Sequence, residues 1–260
     1  MQPEIDLLGL SLKTFGICFG LAFVVSGALV ARRLTELGKP PDWAYEMVFA
    51  ALIGGLIGAR LYWVLGHSSE VGDDFVGNVF GGSGLVWYGG ALGGAAGVLL
   101  WAYRKGMFNV HLLDLCSPAL AMGYAVGRVG CQVSGDGDYG TATDLPWGMA
   151  YPDGVVPTTE IVHPTPIYET LTMGLGAWLL WRLRDELRPG IVFAWYLVLA
   201  GGERFLVEFV RRNDAVVAGL TEAQLFALVM LAAGVTWLAR AARSCGWRRA
   251  GASARVLAAS

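Results

Sequence analysis

Seven stretches of mostly apolar sequence, each close to the length of a membrane span, divide this chain: 10–31, 44–65, 85–103, 112–129, 167–181, 191–208 and 220–239. A helix needs about 20 such residues to cross the hydrocarbon of a bilayer. Inside it every backbone N–H and C=O must be paired within the segment, which leaves helices as the default structure. The chain is therefore expected to fold as an all-α, polytopic integral membrane bundle of seven transmembrane helices. It forms a single integral membrane domain over 1–260, whose only sizeable loop, 132–165, makes a small extracytoplasmic head. Composition supports this: 55% of the 260 residues are hydrophobic and 15% charged, against about 25% charged in an ordinary globular domain. Disorder is excluded, because disordered chains are apolar-poor and charge-rich. Four cysteines in 260 residues do not make a disulfide scaffold. With 19 Lys and Arg against 21 Asp and Glu, no basic excess exists to neutralise phosphates, so nucleic acid is not an expected partner.

The first stretch is too long for the apolar region of a secretory signal, and no small-residue cleavage site precedes Arg32 and Arg33, so it is expected to be retained as a span. Basic residues follow the odd-numbered stretches: Arg32, Arg33 and Lys39, then Arg104 and Lys105, then Arg182, Arg184 and Arg188, then Arg240, Arg243, Arg248, Arg249 and Arg255. The intervening loops 67–84 and 132–165 have neither Lys nor Arg. By the positive-inside rule the N-terminus lies outside and the C-terminus in the cytoplasm. Glycines four apart at Gly54 and Gly58, Gly89 and Gly93, Gly90 and Gly94, and Gly123 and Gly127 let membrane helices approach closely.

Several charges break the pattern. Arg60, Arg128 and Arg204 lie in or at the outer ends of spans, and Arg211 and Arg212 follow the sixth. A charge at the bilayer centre costs at least about 2.5–3.5 kcal/mol on insertion scales, so each needs a partner. Glu46, Asp114, Glu169 and Glu208 could each hold an arginine. For Arg60 internal pairing is the expectation; for Arg128 and Arg204 it is a ligand. Arg128 is flanked by glycines in Gly127-Arg128-Val129-Gly130. Arg204 and Glu208 are four apart and Glu208 and Arg211 three apart, on one helical face. A guanidinium is a planar fork matched to phosphate, and at that depth the available phosphate is a phospholipid headgroup.

Three histidines show no metal-ligand spacing; His67 and His111 are read as interfacial structural residues. Cys18, Cys116 and Cys245 are read as unpaired and Cys131 as a packed residue. Asp136 and Asp138 sit in a glycine-rich turn that lacks the full ligand set of a calcium loop. No internal inverted repeat is evident, which ranks a transporter last.

Four segments, in order, now combine: Trp87-Tyr88-Gly89-Gly90-Ala91-Leu92-Gly93-Gly94, then Gly127-Arg128-Val129-Gly130-Cys131-Gln132-Val133-Ser134-Gly135-Asp136-Gly137-Asp138-Tyr139-Gly140, then His163-Pro164-Thr165-Pro166-Ile167-Tyr168-Glu169, then the span carrying Arg204 to Arg211. With Gly58-Ala59-Arg60-Leu61 in the second span, this set resembles the bacterial prolipoprotein diacylglyceryl transferase family. The resemblance implies transfer of the diacylglyceryl group of phosphatidylglycerol to the thiol of the lipobox cysteine in a prolipoprotein signal peptide. A thioether forms and glycerol phosphate leaves. The implied partners are those two substrates and membrane lipids, the implied place is the bacterial cytoplasmic (inner) membrane, and no metal or organic cofactor is implied. Arg128, Arg204 and Tyr88 are the expected catalytic residues. Arg128, Arg204, Glu208, Asp136, Gln132, Arg211 and His163 are expected to bind phospholipid. The sequence departs from the family pattern where Tyr88 replaces a histidine, Cys131 an asparagine, Asp136 a glutamate, and Phe15 and Ala200 tyrosines. A non-catalytic phospholipid-binding protein, or a transferase with another lipid or acceptor, is the alternative.

Overall fold

The computed structural model describes residues 1–7, 9–66, 87–244 and 246–249. The loop 67–84 with its His67, the first two residues of the third apolar stretch, Cys245 and Arg255 lie outside the described residues, as do the side chains of Trp87 and Tyr88. Among the described residues are seven long helices: α1 (Thr14–Glu36), α2 (Trp43–Gly66), α3 (Trp87–Arg104), α4 (Val110–Ser134), α5 (Thr165–Leu183), α6 (Ile191–Val207) and α7 (Glu222–Ser244). They follow the seven apolar stretches in order. Four of them, α1, α2, α4 and α7, are long and apolar enough to cross a membrane. Large apolar side chains point outward, among them Val24, Ile57, Leu65, Leu92, Leu171 and Val229. That is the arrangement of a chain whose solvent is lipid.

Two small sheets were not foreseen. β1 (Glu4–Leu7) and β2 (Leu10–Lys13) pair antiparallel, as do β3 (Met149–Tyr151) and β4 (Thr158–Val162). The first pair corrects the expected start of the first span at residue 10. Glu4, Asp6, Ser11 and Lys13 alternate with Ile5, Leu7, Leu10 and Leu12, the period of a strand. Gly9, at φ 84°, makes the turn, and Ser11 Oγ donates to Glu4 across the pair. At the other end α4 runs on to Ser134, so Gln132 belongs to the helix and not to the loop after it.

Residues Gly27–Leu112 form one compact unit. In it α2 and α3 meet backbone to backbone. A Cβ on Gly54, Gly58, Gly89, Gly93 or Gly97 would strike the main chain of the opposite helix, so this spacing is used for direct helix contact. Glu46 accepts from Trp101 Nε1 at 2.8 Å and pairs with Lys105 at 2.8 Å; its cation is a lysine and not one of the arginines. Arg60 lies over the Trp63 ring, 4.7 Å from its centroid. Gly58→Val is expected to cost about 1–3 kcal/mol by overpacking. Gly90→Ala, whose Cβ would make an ordinary 3.6 Å contact with Ala59, is expected to be tolerated. Thermal unfolding in detergent separates the two, and equal midpoints would refute the backbone contact.

The second unit comprises Met1–Ser26 with Leu113–Ser260. Its core joins Ala121 and Ala125 of α4, Met173, Ala177 and Leu180 of α5, Ile191, Val192 and Ala194 of α6, and Leu238 of α7. Small residues dominate the crossings: a Cβ on Gly201 would approach Ala227 O, and one on Gly234 would approach Ala194 O, each at 2.8 Å. The N-terminus of α6 is closed by a side chain from α4. Asp114 accepts from Gly190 N at 2.6 Å and Phe193 N at 2.9 Å, satisfying amides that a helix start leaves open. This capping by Asp114 was not foreseen from the sequence, where the residue was considered as a partner for an arginine.

Candidate active site

Three arginines converge on one carboxylate. Glu169, in the second turn of α5, is completely buried. Arg128 Nε lies 3.1 Å from its Oε2, Arg204 Nη1 3.4 Å from Oε1 and Arg211 Nη1 3.5 Å from Oε2. Tyr124, one helical turn before Arg128, donates its hydroxyl to Glu169 Oε1 at 2.8 Å. Its ring lies 5.0 Å from the Arg128 guanidinium. A buried carboxylate is costly unless it is paired and hydrogen-bonded, and Glu169 draws cations from two further segments of chain to meet that need.

Two more acids complete the cluster. Glu208 opens a single 3₁₀ turn, Glu208–Val210, at the end of α6. It meets Arg204 Nη2 at 3.0 Å and Arg211 Nε at 3.8 Å. On its other side Oε1 accepts from Asn213 Nδ2 at 2.6 Å and Thr221 Oγ1 at 2.8 Å. Thr221 is also the cap of α7: its hydroxyl accepts from Gln224 N and the Gln224 side chain accepts from Thr221 N, a capping box. Asp138 takes Arg128 on one oxygen and Arg211 Nη2, at 2.5 Å, on the other. Burial pushes the Asp138 carboxyl up, but Arg128 and Arg211 outweigh it and hold the group below its ordinary 3.8. Its contribution to stability is therefore complete above that value and is lost as pH falls through the lowered one.

The turn that carries Asp138 is pinned on three sides. Thr165 Oγ1 donates to Asp138 O, Gly140 N to His163 O and Thr141 N to Val210 O. Behind it Tyr139, Tyr151 and Val162 form a small buried core. Tyr151 gives its hydroxyl to Gln132 Oε1 at 2.9 Å, and burial pushes its pKa up to about 12. Arg212 lies over Tyr139 and donates to Gly140 O.

The structure thus brings together Arg128, Arg204, Glu208 and Arg211 among the expected residues. Three others sit beside the cluster in the turn region. Gln132 holds Tyr151. Asp136 accepts from Asp138 N at 3.3 Å, and it is Asp138 that reaches the arginines. His163 Nδ1 shares a 3.3 Å hydrogen bond with Tyr168. Tyr88 lies in the first turn of α3, in the other unit, and its side chain is outside the described residues. Of the two glycines flanking Arg128, Gly127 faces open space and is not at a helix contact, whereas a Cβ on Gly130 would come within 2.8 Å of Cys18 Cβ. Ligand atoms of Cys131, Asp136 and Asp138 lie within 4.8 Å of one another. The Arg128 guanidinium is already among them, 3.8 Å from Cys131 Sγ and paired to Asp138, so a cation occupies that position from within the chain.

Exposure divides the arginines. Their side chains are 25% exposed at Arg204, 15% at Arg128 and 8% at Arg211, so the first two are the more accessible. Arg211 Nη1 is buried without an aligned hydrogen bond, as are Glu169 Oε2 and Glu208 Oε2. The cluster is closed in charge and incomplete in hydrogen bonds.

The model of the prolipoprotein diacylglyceryl transferase family matches residues 4–240. The chain belongs to that family. Proteins named phosphatidylglycerol–prolipoprotein diacylglyceryl transferase are similar over nearly their whole length. The one from Clostridium tetani is 30% identical over 239 residues, covering 90% of this chain and 96% of its own. That from Geobacter sulfurreducens is 32% identical, covering 91% and 94%. That from Methylobacillus flagellatus is 30% identical, covering 92% and 97%. Within this member of the family, Tyr124 and Glu203 were not singled out from the sequence. A tyrosine one helical turn before a glycine-flanked arginine was the available signal for Tyr124.

Proposed function

We propose that this chain transfers the diacylglyceryl group of phosphatidylglycerol to the lipobox cysteine thiol of prolipoproteins, with the Arg128–Arg204–Arg211 cluster as the phosphate site. The observation that carries the assignment is the convergence of these arginines, from α4, α6 and the turn after α6, on Glu169, in a chain of this family. When the carbon–oxygen bond to phosphate breaks, negative charge gathers on the leaving phosphate. Guanidinium groups held in place beforehand stabilise that charge without having to reorganise. Arg204 and Arg128, the more exposed pair, receive the headgroup, and Arg211, tied to Asp138 and Glu208, holds the others in position. Tyr88 keeps its assignment to the transfer step from its motif position alone. Gln132, Asp136 and His163 line the headgroup side.

The same reading gives the architecture its orientation. All seven helices span the inner membrane, the N-terminus lies outside and the C-terminus inside, and 132–165 forms the extracytoplasmic head of a single membrane domain. The apolar outward faces of α3 and α5 support this for two helices shorter than α1, α2, α4 and α7, and the basic residues at and beyond the C-terminal ends of α1, α3, α5 and α7 support the orientation.

The test is a transfer assay with purified protein in phosphatidylglycerol-containing detergent and a synthetic lipobox peptide, read by mass spectrometry. The expected product is the peptide carrying a diacylglyceryl thioether. Folded protein that retains phosphatidylglycerol yet yields no product would overturn the assignment in favour of a lipid-binding role.

A further inference from the structure

The paired charges leave one acid over. Three guanidinium groups face Asp138, Glu169 and Glu208, and each of those carboxylates is engaged by at least two of them. Glu203, the residue before Arg204 on α6, makes neither a hydrogen bond nor an ion pair among the described residues. Its Oε1 is buried and without a hydrogen-bond donor. It stands within electrostatic reach of Glu169, Arg128, Arg204 and Arg211 and of Tyr124. A buried carboxylate oxygen with no donor is costly and needs an explanation.

The transfer reaction supplies one. A cysteine thiol has an ordinary pKa of about 8.5 and attacks as the thiolate, so at neutral pH its proton must be removed. The guanidinium groups cannot accept a proton, and carboxylates locked to guanidinium groups are weak bases. A tyrosine hydroxyl, with an ordinary pKa of about 10, is no better suited. Among the described carboxylates of the cluster, Glu203 is the one that no guanidinium pairs with, and its buried Oε1 has no donor. We propose that Glu203 is the general base that takes the thiol proton, an inference that rests on the transferase reading above.

The step balances. The S–H bond breaks and its proton passes to the Glu203 carboxylate. The sulfur pair forms the C–S bond to the diacylglyceryl carbon, and the C–O bond breaks with its electrons on the phosphate oxygen of the departing glycerol phosphate. The leaving group gains one negative charge as Glu203 loses one, so the formal charge facing the three arginines is unchanged through the step. The proton then leaves Glu203 for water as the product departs.

The experiment measures initial transfer rates from pH 6 to 10 with the purified chain, phosphatidylglycerol and a lipobox peptide, for the parent, Glu203→Gln and Glu203→Asp. A carboxylate base gives the parent a plateau from neutral pH up to the thiol pKa. Loss of the base is expected to lower the neutral rate of Glu203→Gln about 10²–10⁴-fold. Its residual rate should climb tenfold per pH unit towards about 8.5, where the thiol ionises unaided. Glu203→Asp should recover part of the rate and the plateau. A glutamine variant within threefold of the parent, or a parent whose rate itself climbs tenfold per unit to the thiol pKa, overturns the base. The second outcome does not depend on any variant folding. A parent that makes no product overturns the transferase reading itself, and the base with it.

Discussion

Arg128→Lys is expected to lower the transfer rate about 10²–10³-fold, the typical loss when one preorganised donor to a developing oxyanion is removed. The substitution keeps the positive charge and loses the fork. Arg128 uses Nε for Glu169 and Nη1 for Asp138, so its orientation is fixed by two carboxylates from different segments while 15% of its side chain stays exposed. An ammonium is a point charge that cannot hold both carboxylates in that geometry and still present a flat donor edge to phosphate. Phosphatidylglycerol retention should survive, because Arg204 remains. A lysine variant within fivefold of the parent would show that charge alone suffices and would remove the geometric role assigned to the fork.

The largest effect on stability is expected at Glu169. Glu169→Gln leaves three guanidinium groups without their common carboxylate in a fully buried position. Breaking one side of a buried charge network typically costs about 3–5 kcal/mol. Glu160→Gln is the comparison, because Glu160 also pairs with an arginine, Arg212, at 3.1 Å, but with its side chain 66% exposed. An exposed pair contributes about 0–1 kcal/mol. Denaturant or thermal unfolding in one detergent distinguishes them, and a Glu169→Gln protein as stable as Glu160→Gln would refute the network as a structural centre.

The parts legible in the sequence were those written in apolar length and in small-residue spacing. The seven stretches became seven helices because runs of that length have few other ways to satisfy their backbone. Gly54, Gly58, Gly89 and Gly93 became direct helix contacts because nothing larger fits there. The N-terminal hairpin was lost in a window long enough to find spans, since four residues of alternation weigh little against twenty of apolar sequence. Of the acids offered to the arginines, Glu169 and Glu208 hold them and Glu46 holds Lys105, while the capping of α6 by Asp114 was not foreseen. Which cation an acid meets is set by the packing of segments far apart in the chain, and periodicity within one helix carries no information about it. Asp138 was placed in its turn but not at the arginines, because its aim depends on the hydrogen bond from Thr165 and on those its turn donates to the His163 and Val210 carbonyls, which only the folded chain brings together. Glu203 was visible only as the residue before Arg204. Its isolation is a property of what surrounds it.

Glu208 closes a loop as well as a charge ladder. Through Oε1 it is tied to Thr221, 13 residues further on, and to Asn213 between them. The connection from α6 to α7 is therefore drawn shut at its base by a single oxygen atom, in the manner of a noncovalent cross-link. The conformational entropy given up in closing that loop, which grows only slowly with its length, is offset at one point. Loss of the Glu208 carboxylate would accordingly be felt as slack in the chain between two helices, at the entrance to α7, as well as at the arginines.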